Sequence, residues 1–450
     1  MEFSVKVLVC IKHWGATGIL IEWEDTFPYI AELVDIGSQQ SPNGSGGDGL
    51  YSLQEVQHVF NFAKDIGLEV IQLIQTIGHM EFVLKHPAFS NLRETPRSSA
   101  VLCPLRQHSQ GLVRTMLTQV LDAQPDARFI HIGADEVWHL GVCDQCKSRA
   151  SSSRYGVTTL YLEHVSNLVT FIKLKRPGIV VMMWDDMIRN VGMDALREYK
   201  LHQLVEPVVW HYNPKECFSV DPTLWLVYGQ MFPRVWAGSA FKGANGSSAL
   251  YPQTLRYATN HEAWRNELRK FGSLVHFGGL VLTGWSRYDH YATLCELMTL
   301  SLPTLKSCLQ VFMKTDHQST ESLLTDSLPP SEWPGEDVAR AFLKFLAAKD
   351  RAFSFIHGDQ VISWFSPWHQ SNNYICPDQL ENIASNAQHL LAELAAVDGE
   401  LESHLLQVTG RRSAGELLET HLRPLRRQLA ALRDQAAGRG AAGPGLFAAQ

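Results

Sequence analysis

The chain has 450 residues, of which 45% are apolar and 19% charged, and a net charge of 39 − 46 = −7. This is ordinary globular composition, and it excludes disorder, a coiled coil or a collagen-like repeat as the main architecture. The mild acidity leaves no basic footprint for nucleic acid or an anionic membrane surface, and no apolar run approaches the ~18 residues that cross a bilayer.

Residues 3–11 read two ways. Phe3, Val5, Val7, Val9 and Ile11 alternate as in a strand, whereas Phe3, Val7, Ile11 and Trp14 make a helical stripe. Too few residues separate this segment from the next apolar run for a parallel crossover, which favours the helix. The N-terminus carries no basic n-region and no small-residue cleavage site, so no signal peptide is read and the expected location is the cytoplasm, the nucleus or both.

From there to about residue 300, short apolar runs at 19–24, 69–76, 128–133, 179–184, 205–212, 234–237 and 279–285 alternate with helical spacing. Ser52-Leu53-Gln54-Glu55 is a capping box opening one helix, and 158–174 and 252–271 read as others. A polar, Gly-rich loop at 38–49 follows the first run and is expected on the functional face. Continuous apolar strands alternating with helices mean a parallel sheet covered by helices, hence the α/β class. Seven such units predict a (β/α)8 TIM-type barrel that lacks its first strand.

Beyond residue 305 the pattern changes to long amphipathic helices over 331–356 and 377–431. The expected organisation is a barrel domain over 1–305, a C-terminal helical region over 306–435 and a disordered Gly- and Ala-rich tail over 436–450. The Leu and Ala stripes of the helical region suit packing on the barrel or a homodimer. Eight scattered Cys do not form a disulfide framework. Cys143-x-x-Cys146 could hold zinc or cycle as a disulfide, but one such pair without a second reads as free thiols on a surface loop.

In a barrel of this kind catalytic groups sit at the C-terminal ends of the strands. Those ends carry Glu22, Glu24 and Asp25, then His79, Asp135 and Glu136, then Trp184, Asp185 and Asp186, then Trp210, His211 and Tyr212, then Trp236, and finally Trp285, Arg287, Tyr288 and Asp289. Acids interleaved with Trp and Tyr suit sugar rings, because aromatic faces cover C–H surfaces while carboxylates take hydroxyls and do acid–base work. Asp135 and Glu136 are chain neighbours, which cannot easily straddle a glycosidic bond as the two carboxylates of ordinary glycosidases do. They can serve if an N-acetylhexosamine supplies its own acetamido oxygen as nucleophile, one carboxylate protonating the leaving oxygen and the other orienting the acetamide. The plainer reading is that Asp135 caps a following helix and Glu136 is a solvated first-turn acid. Spacing alone does not choose between them. Asp185-Asp186 is an alternative acid pair. Glu24, His79, His131 and Asp135 could ligate a rim metal, although no H-x-H pair supports it.

The segment His131-Ile132-Gly133-Ala134-Asp135-Glu136 resembles the H-x-G-x-D-E signature of glycoside hydrolase family 20, the β-N-acetylhexosaminidases, and within it the soluble, nucleocytoplasmic hexosaminidase D-like branch. The resemblance extends through Gly18 to Tyr29, Gly78 to Phe82, Trp184-Asp185-Asp186, Val205-Glu206-Pro207 and Leu282 to His290. It implies a retaining, substrate-assisted exo-β-N-acetylhexosaminidase working through an oxazolinium intermediate on the terminal β-GalNAc or β-GlcNAc of a glycoconjugate, with galactosaminides preferred in this branch. Glu136 would be the general acid/base and Asp135 the acetamide-orienting carboxylate. His79 would hydrogen-bond near the acid, with Glu24 or Asp25 helping to tune it. Trp184, Trp210 and Trp285 would line the sugar pocket, Tyr212 or else Tyr288 would donate to the acetamido oxygen, and His131 and Asp185 would support the site. No cofactor, metal, nucleic acid or membrane partner is implied. The family's first strand has no matching position, so the alternative expectation is an inactive isoform or a sugar-binding protein.

Overall fold

The computed structural model describes residues 2–37, 51–314 and 333–441; the Gly-rich loop at 38–49 and the end of the tail lie outside the described residues. The chain divides into two units, Met1–Trp333 and Pro334–Gln450.

The frame of the first unit is β1 (Gly18–Trp23), β2 (Glu69–Ile74), the hairpin strands β3 (Arg93–Thr95) and β4 (Ser98–Leu102), β5 (Phe129–His131), β6 (Val180–Trp184), β7 (Val205–Trp210), β8 (Val235–Lys242) and β9 (Phe277–Gly284). Seven of these pair in parallel in the order β1-β2-β5-β6-β7-β8-β9, and helices follow them to form a nearly closed barrel. Among the described residues β1 and β9 each pair on one side only. Their mostly half-buried side chains differ from those of β7, nearly all buried, as expected at edges.

Side chains alternate along a strand, and the barrel interior is built from every second residue. Leu20, Ile71, Leu73, Phe129, Met182, Trp184, Val208, Trp210, Trp236, Val281 and Trp285 form one cluster inside it. The intervening residues face the helices. Trp23 packs edge-on against Phe27, Tyr51 and Phe60, with its Nε1 donating to Gln72 Oε1 at 3.0 Å.

The N-terminal segment is the helix Glu2–His13, as its apolar stripe predicts, with Leu8 and Ile11 buried. The β3–β4 hairpin has no counterpart in the sequence expectation, because Pro96 and Arg97 turn a short polar stretch whose pairing depends on its neighbours rather than on its own pattern. β8 runs beyond the predicted 234–237. Its continuation uses Gly238, Ser239 and Ala240, small residues with weak strand propensity that the neighbouring strand nonetheless pairs. A Cβ at Gly238 would lie 3.0 Å from that of Trp210, so a small residue is what the packed lumen admits there.

The second unit is helical: Glu336–Ile356, Asp359–Phe365, Pro367–Ser371, Pro377–Val408, Arg411–Leu417 and Arg423–Ala441 are its α-helices. The helical stretch read over 377–431 is interrupted at Thr409 and Gly410, both in extended conformation. Ala348, Ala352, Ala387, Leu394, Leu425 and Leu429 form its core, and the buried Asp398 is paired with Arg423 and Arg426. The last helix continues past residue 436, where the sequence reading begins a disordered tail. No helix among the described residues is long and apolar enough to cross a membrane.

The capping box at Ser52 forms as read, with the Ser52 hydroxyl accepting from the Glu55 N–H and the Glu55 carboxylate accepting from the Ser52 N–H. Ser52→Ala should therefore lower unfolding free energy by about 1 kcal/mol, read as a lower urea midpoint at unchanged slope.

Candidate active site

Strand alternation decides which acids enter the rim. Leu20 faces the lumen, so Glu22 does as well; Ile71 and Leu73 carry the same face of β2 on to Gln75. Gln75 ties three segments together. Its Nε2 donates to Asp135 Oδ1 at 3.0 Å and to Glu22 Oε1 at 3.3 Å, while its Oε1 accepts the Ala134 N–H at 3.2 Å. His79, on the loop after β2, places Nε2 3.5 Å from Asp135 Oδ2 and 3.3 Å from Glu136 Oε2. One imidazole thus spans both members of the acid pair.

This placement requires unusual backbone. His79, Ala134 and Glu136 have φ of 50°, 67° and 50°, the left-handed region that non-glycine residues rarely enter. Each costs on the order of 1–3 kcal/mol, which the surroundings must offset. The Tyr161 hydroxyl donates to the Ala134 carbonyl at 2.8 Å, the Trp184 N–H to that of Gly133 at 3.1 Å, and the Glu136 N–H to Asp186 Oδ2 at 2.9 Å. A Cβ at Gly78 would collide with the Asp135 carbonyl, and one at Gly133 with the Gln75 amide. No helix starts at Asp135, which removes the capping reading: the next helix, Asp144–Ser151, has Cys143 at its N-cap.

The charges are graded by environment. Burial opposes ionisation of both His79 and Asp135, but their mutual contact outweighs it, so His79 rises to about 11 and Asp135 falls below the usual carboxylate range. Glu22 is raised to about 8 by burial and by the charges of Glu24 and Asp135. Asp186 is raised to about 7, again by burial first and the Asp135 charge second. Burial lowers His131 to about 3, so it stays neutral; its Nδ1 accepts the Gly133 N–H, and its ring lies 4.4 Å from that of Trp184.

Aromatic rings surround these acids. Trp184 and Trp285 meet edge-on at 5.9 Å, Trp210 and Tyr212 stack at 5.2 Å, and Trp285 Nε1 donates to the Tyr212 hydroxyl at 3.3 Å. Trp210 Nε1 donates to Asp186 Oδ1 at 3.3 Å. Of the two tyrosines singled out, Tyr212 lies within this group, whereas Tyr288 is exposed and its hydroxyl accepts the Gly246 N–H at 2.5 Å. Asp185 is fully buried and held by Arg189 at 2.6 Å and by the Tyr228 hydroxyl at 3.2 Å, so it supports the rim from behind.

Glu24 and Asp25 belong to a different arrangement. His290 Nδ1 lies 2.9 Å from Glu24 Oε2, and Lys85 Nζ lies 2.9 Å from both Asp25 Oδ2 and His290 Nε2. This clasp links the C-terminal ends of the two unpaired edge strands. Gln75 and Lys85 are site residues that a search for acids and aromatics at strand ends does not find, whereas Glu22 and Asp186 stand at strand ends in the sequence without a distinct role being read for either. The alternation of β1 would have separated Glu22 from Asp25; Gln75 and Lys85 have no such signal.

The Glycosyl hydrolase family 20 catalytic domain matches residues 13–216. Hexosaminidase D of Homo sapiens is 34% identical over 449 residues, covering 96% of this chain and 90% of that protein. Hexosaminidase D of Bos taurus is 37% identical over 314 residues, covering 69% of this chain and 87% of that protein. A chitobiase structure from Flavobacterium johnsoniae, 12% identical, superposes with a TM-score of 0.50 over 97% of this chain and 76% of that one, a likeness of fold.

A glutamate in the unfolded chain releases its proton near 4.5, whereas folded Glu22 keeps it to about 8. The folded chain therefore binds more protons across that window, and this group's contribution makes stability fall as pH rises through it. Glu22→Gln removes the contribution. The melting temperature of the variant relative to the parent should climb from pH 5 to pH 8 and then level off; a difference independent of pH would contradict the assignment.

Proposed function

Because the chain belongs to glycosyl hydrolase family 20 and is a glycoside hydrolase with β-N-acetylhexosaminidase activity, we propose that it is a retaining, substrate-assisted enzyme releasing terminal β-GalNAc or β-GlcNAc from glycoconjugates through an oxazolinium intermediate. The observation that carries this reading is His79 Nε2 within 3.5 Å of both Asp135 and Glu136. A cation between them lets two neighbouring acids take different tasks.

Asp135, ionised beside His79, accepts the acetamido N–H and turns the acetamido oxygen toward the anomeric carbon. The Tyr212 hydroxyl donates to that oxygen. Glu136 gives its proton to the glycosidic oxygen as the anomeric bond breaks and the oxazolinium ring closes. Glu136 then takes a proton from water, which opens the ring from the same face and restores the β configuration. Trp184, Trp210 and Trp285 cover the sugar's apolar faces, and water exclusion strengthens each charge contact. These steps use only side chains of this chain and groups of the substrate. None of the eight cysteines is in a disulfide, the state a reducing compartment keeps, and the location proposed is cytoplasmic or nuclear.

A second reading, a sugar-binding protein without turnover, is favoured by the unpaired edges of β1 and β9. The purified chain assayed on chromogenic β-GalNAc and β-GlcNAc separates the two. Turnover is expected, with kcat lowered about 10²–10⁴-fold by Glu136→Gln and about 10²–10³-fold by Asp135→Asn. A folded chain that binds a thiazoline analogue of the intermediate but turns over neither substrate would establish the second reading.

A further inference from the structure

The pair Cys143 and Cys146 is not isolated in the folded chain. Cys103, immediately after β4, and Glu94 of β3 join it, and one ligand atom from each of the four lies within 4.8 Å of the others. Three of the four residues are buried. Cys103 Sγ lies 3.6 Å from Cys143 Sγ and 3.5 Å from Cys146 Sγ. These separations are far beyond the ~2.05 Å of a disulfide bond. They are close to the edge of a tetrahedron of thiolates around zinc, about 3.8 Å for Zn–S bonds of about 2.3 Å.

The surroundings are prepared for such a centre. Glu94 Oε1 is taken by the N–H groups of Val142 at 2.6 Å and Cys143 at 2.9 Å, which fixes the carboxylate. Its Oε2 is buried, with no nitrogen or oxygen donor and only cysteine thiols beside it. A buried carboxylate oxygen served only by weak thiol donors is an expensive arrangement unless a cation takes it. Cys143 and Cys146 stand at the N-cap and in the first turn of the helix Asp144–Ser151, which fixes their spacing. Three soft sulfurs and one oxygen in a closed tetrahedral set suit zinc in a structural site, with no position left open for chemistry.

We propose that Glu94, Cys103, Cys143 and Cys146 bind one structural zinc ion that fastens the His79 loop to the loop carrying Asp135 and Glu136. The connections run both ways from the cluster. The β3–β4 hairpin is bonded to the His79 loop through Met80 N–H to the Ala100 carbonyl at 3.0 Å and Leu102 N–H to the Ile77 carbonyl at 2.9 Å. Cys143 closes the segment that begins with the acid pair. The ion joins elements far apart in the chain, so its binding free energy adds to that of folding. The proposal does not depend on the sugar chemistry of the rim, since its readout is metal.

The test is metal analysis of the full-length protein, purified under reducing conditions without chelators from zinc-supplied cells. One zinc per chain is expected, released as an organomercurial reaches the cluster's three thiols among the chain's eight. Glu94→Gln and Cys103→Ser should lose zinc and melt at lower temperature, while Cys217→Ser, at an exposed position, keeps both. If the variants fail to fold, cobalt added to the chelator-stripped, reduced parent protein serves instead, and should give the visible bands of tetrahedral thiolate coordination. Three outcomes would overturn the proposal: parent protein that is metal-free and binds neither zinc nor cobalt, a disulfide among these three cysteines in protein isolated with its thiols trapped, or iron in place of zinc.

Discussion

His79 is pushed toward its protonated form by its contacts with Asp135 and Glu136, neighbours in the chain, and the backbone on both sides is arranged to keep it there. Two acids this close would repel in a partly buried rim, where Coulomb terms are stronger than in water. The imidazolium relieves that repulsion and holds Asp135 ionised. The geometry is reached only because His79 and Glu136 both adopt left-handed backbone and because Gly78 and Gly133 leave room for the Asp135 carbonyl and the Gln75 amide. The packed barrel interior and the hydrogen bonds from Tyr161, Trp184 and Gln75 hold these strained residues in place.

The same constraint explains the graded acids around the centre. Once Asp135 is charged, the nearby Glu22 and Asp186 are pushed toward their neutral forms by burial and by that charge. Gln75, neutral and able to donate and accept, is the group that can touch Glu22, Asp135 and the Ala134 N–H together without adding charge. Asp185, equally buried, is compensated from behind by Arg189 and so does not compete at the rim. A pair adjacent in sequence, Asp185 and Asp186, thereby divides between scaffold and site.

Among the described residues, backbone pairing around the barrel stops between β1 and β9. Side chains span that break at the functional end: Glu24 and Asp25 from the first strand meet His290 beyond the last, with Lys85 between them. The Glu94 and cysteine cluster brings the hairpin together with the segment that follows the acid pair. Both groups tie down loops that the sheet itself does not fix.

Periodicity along the chain was sufficient for the alternating strands and helices and for the N-terminal helix, because each depends on residues within a few positions of one another. Spacing alone left the role of Asp135 and Glu136 open, but the motif from His131 to Glu136 is contiguous, so the resemblance it carries was legible before any fold. Glu22, Gln75, Cys103 and Glu94 were not, since each acquires its meaning from partners about 40 to 60 positions away that only the closing of the sheet brings within bonding distance. Likewise the sequence by itself determined that Tyr212 and Tyr288 follow strand ends; the packing of Trp210 and Trp285 decided that Tyr212 faces the acids while Tyr288 meets solvent. Local pattern determines elements and their polarity, whereas charge state, strain and cross-loop ties are decided by tertiary burial, because only burial makes an unpaired charge or a missing partner costly enough to choose one arrangement.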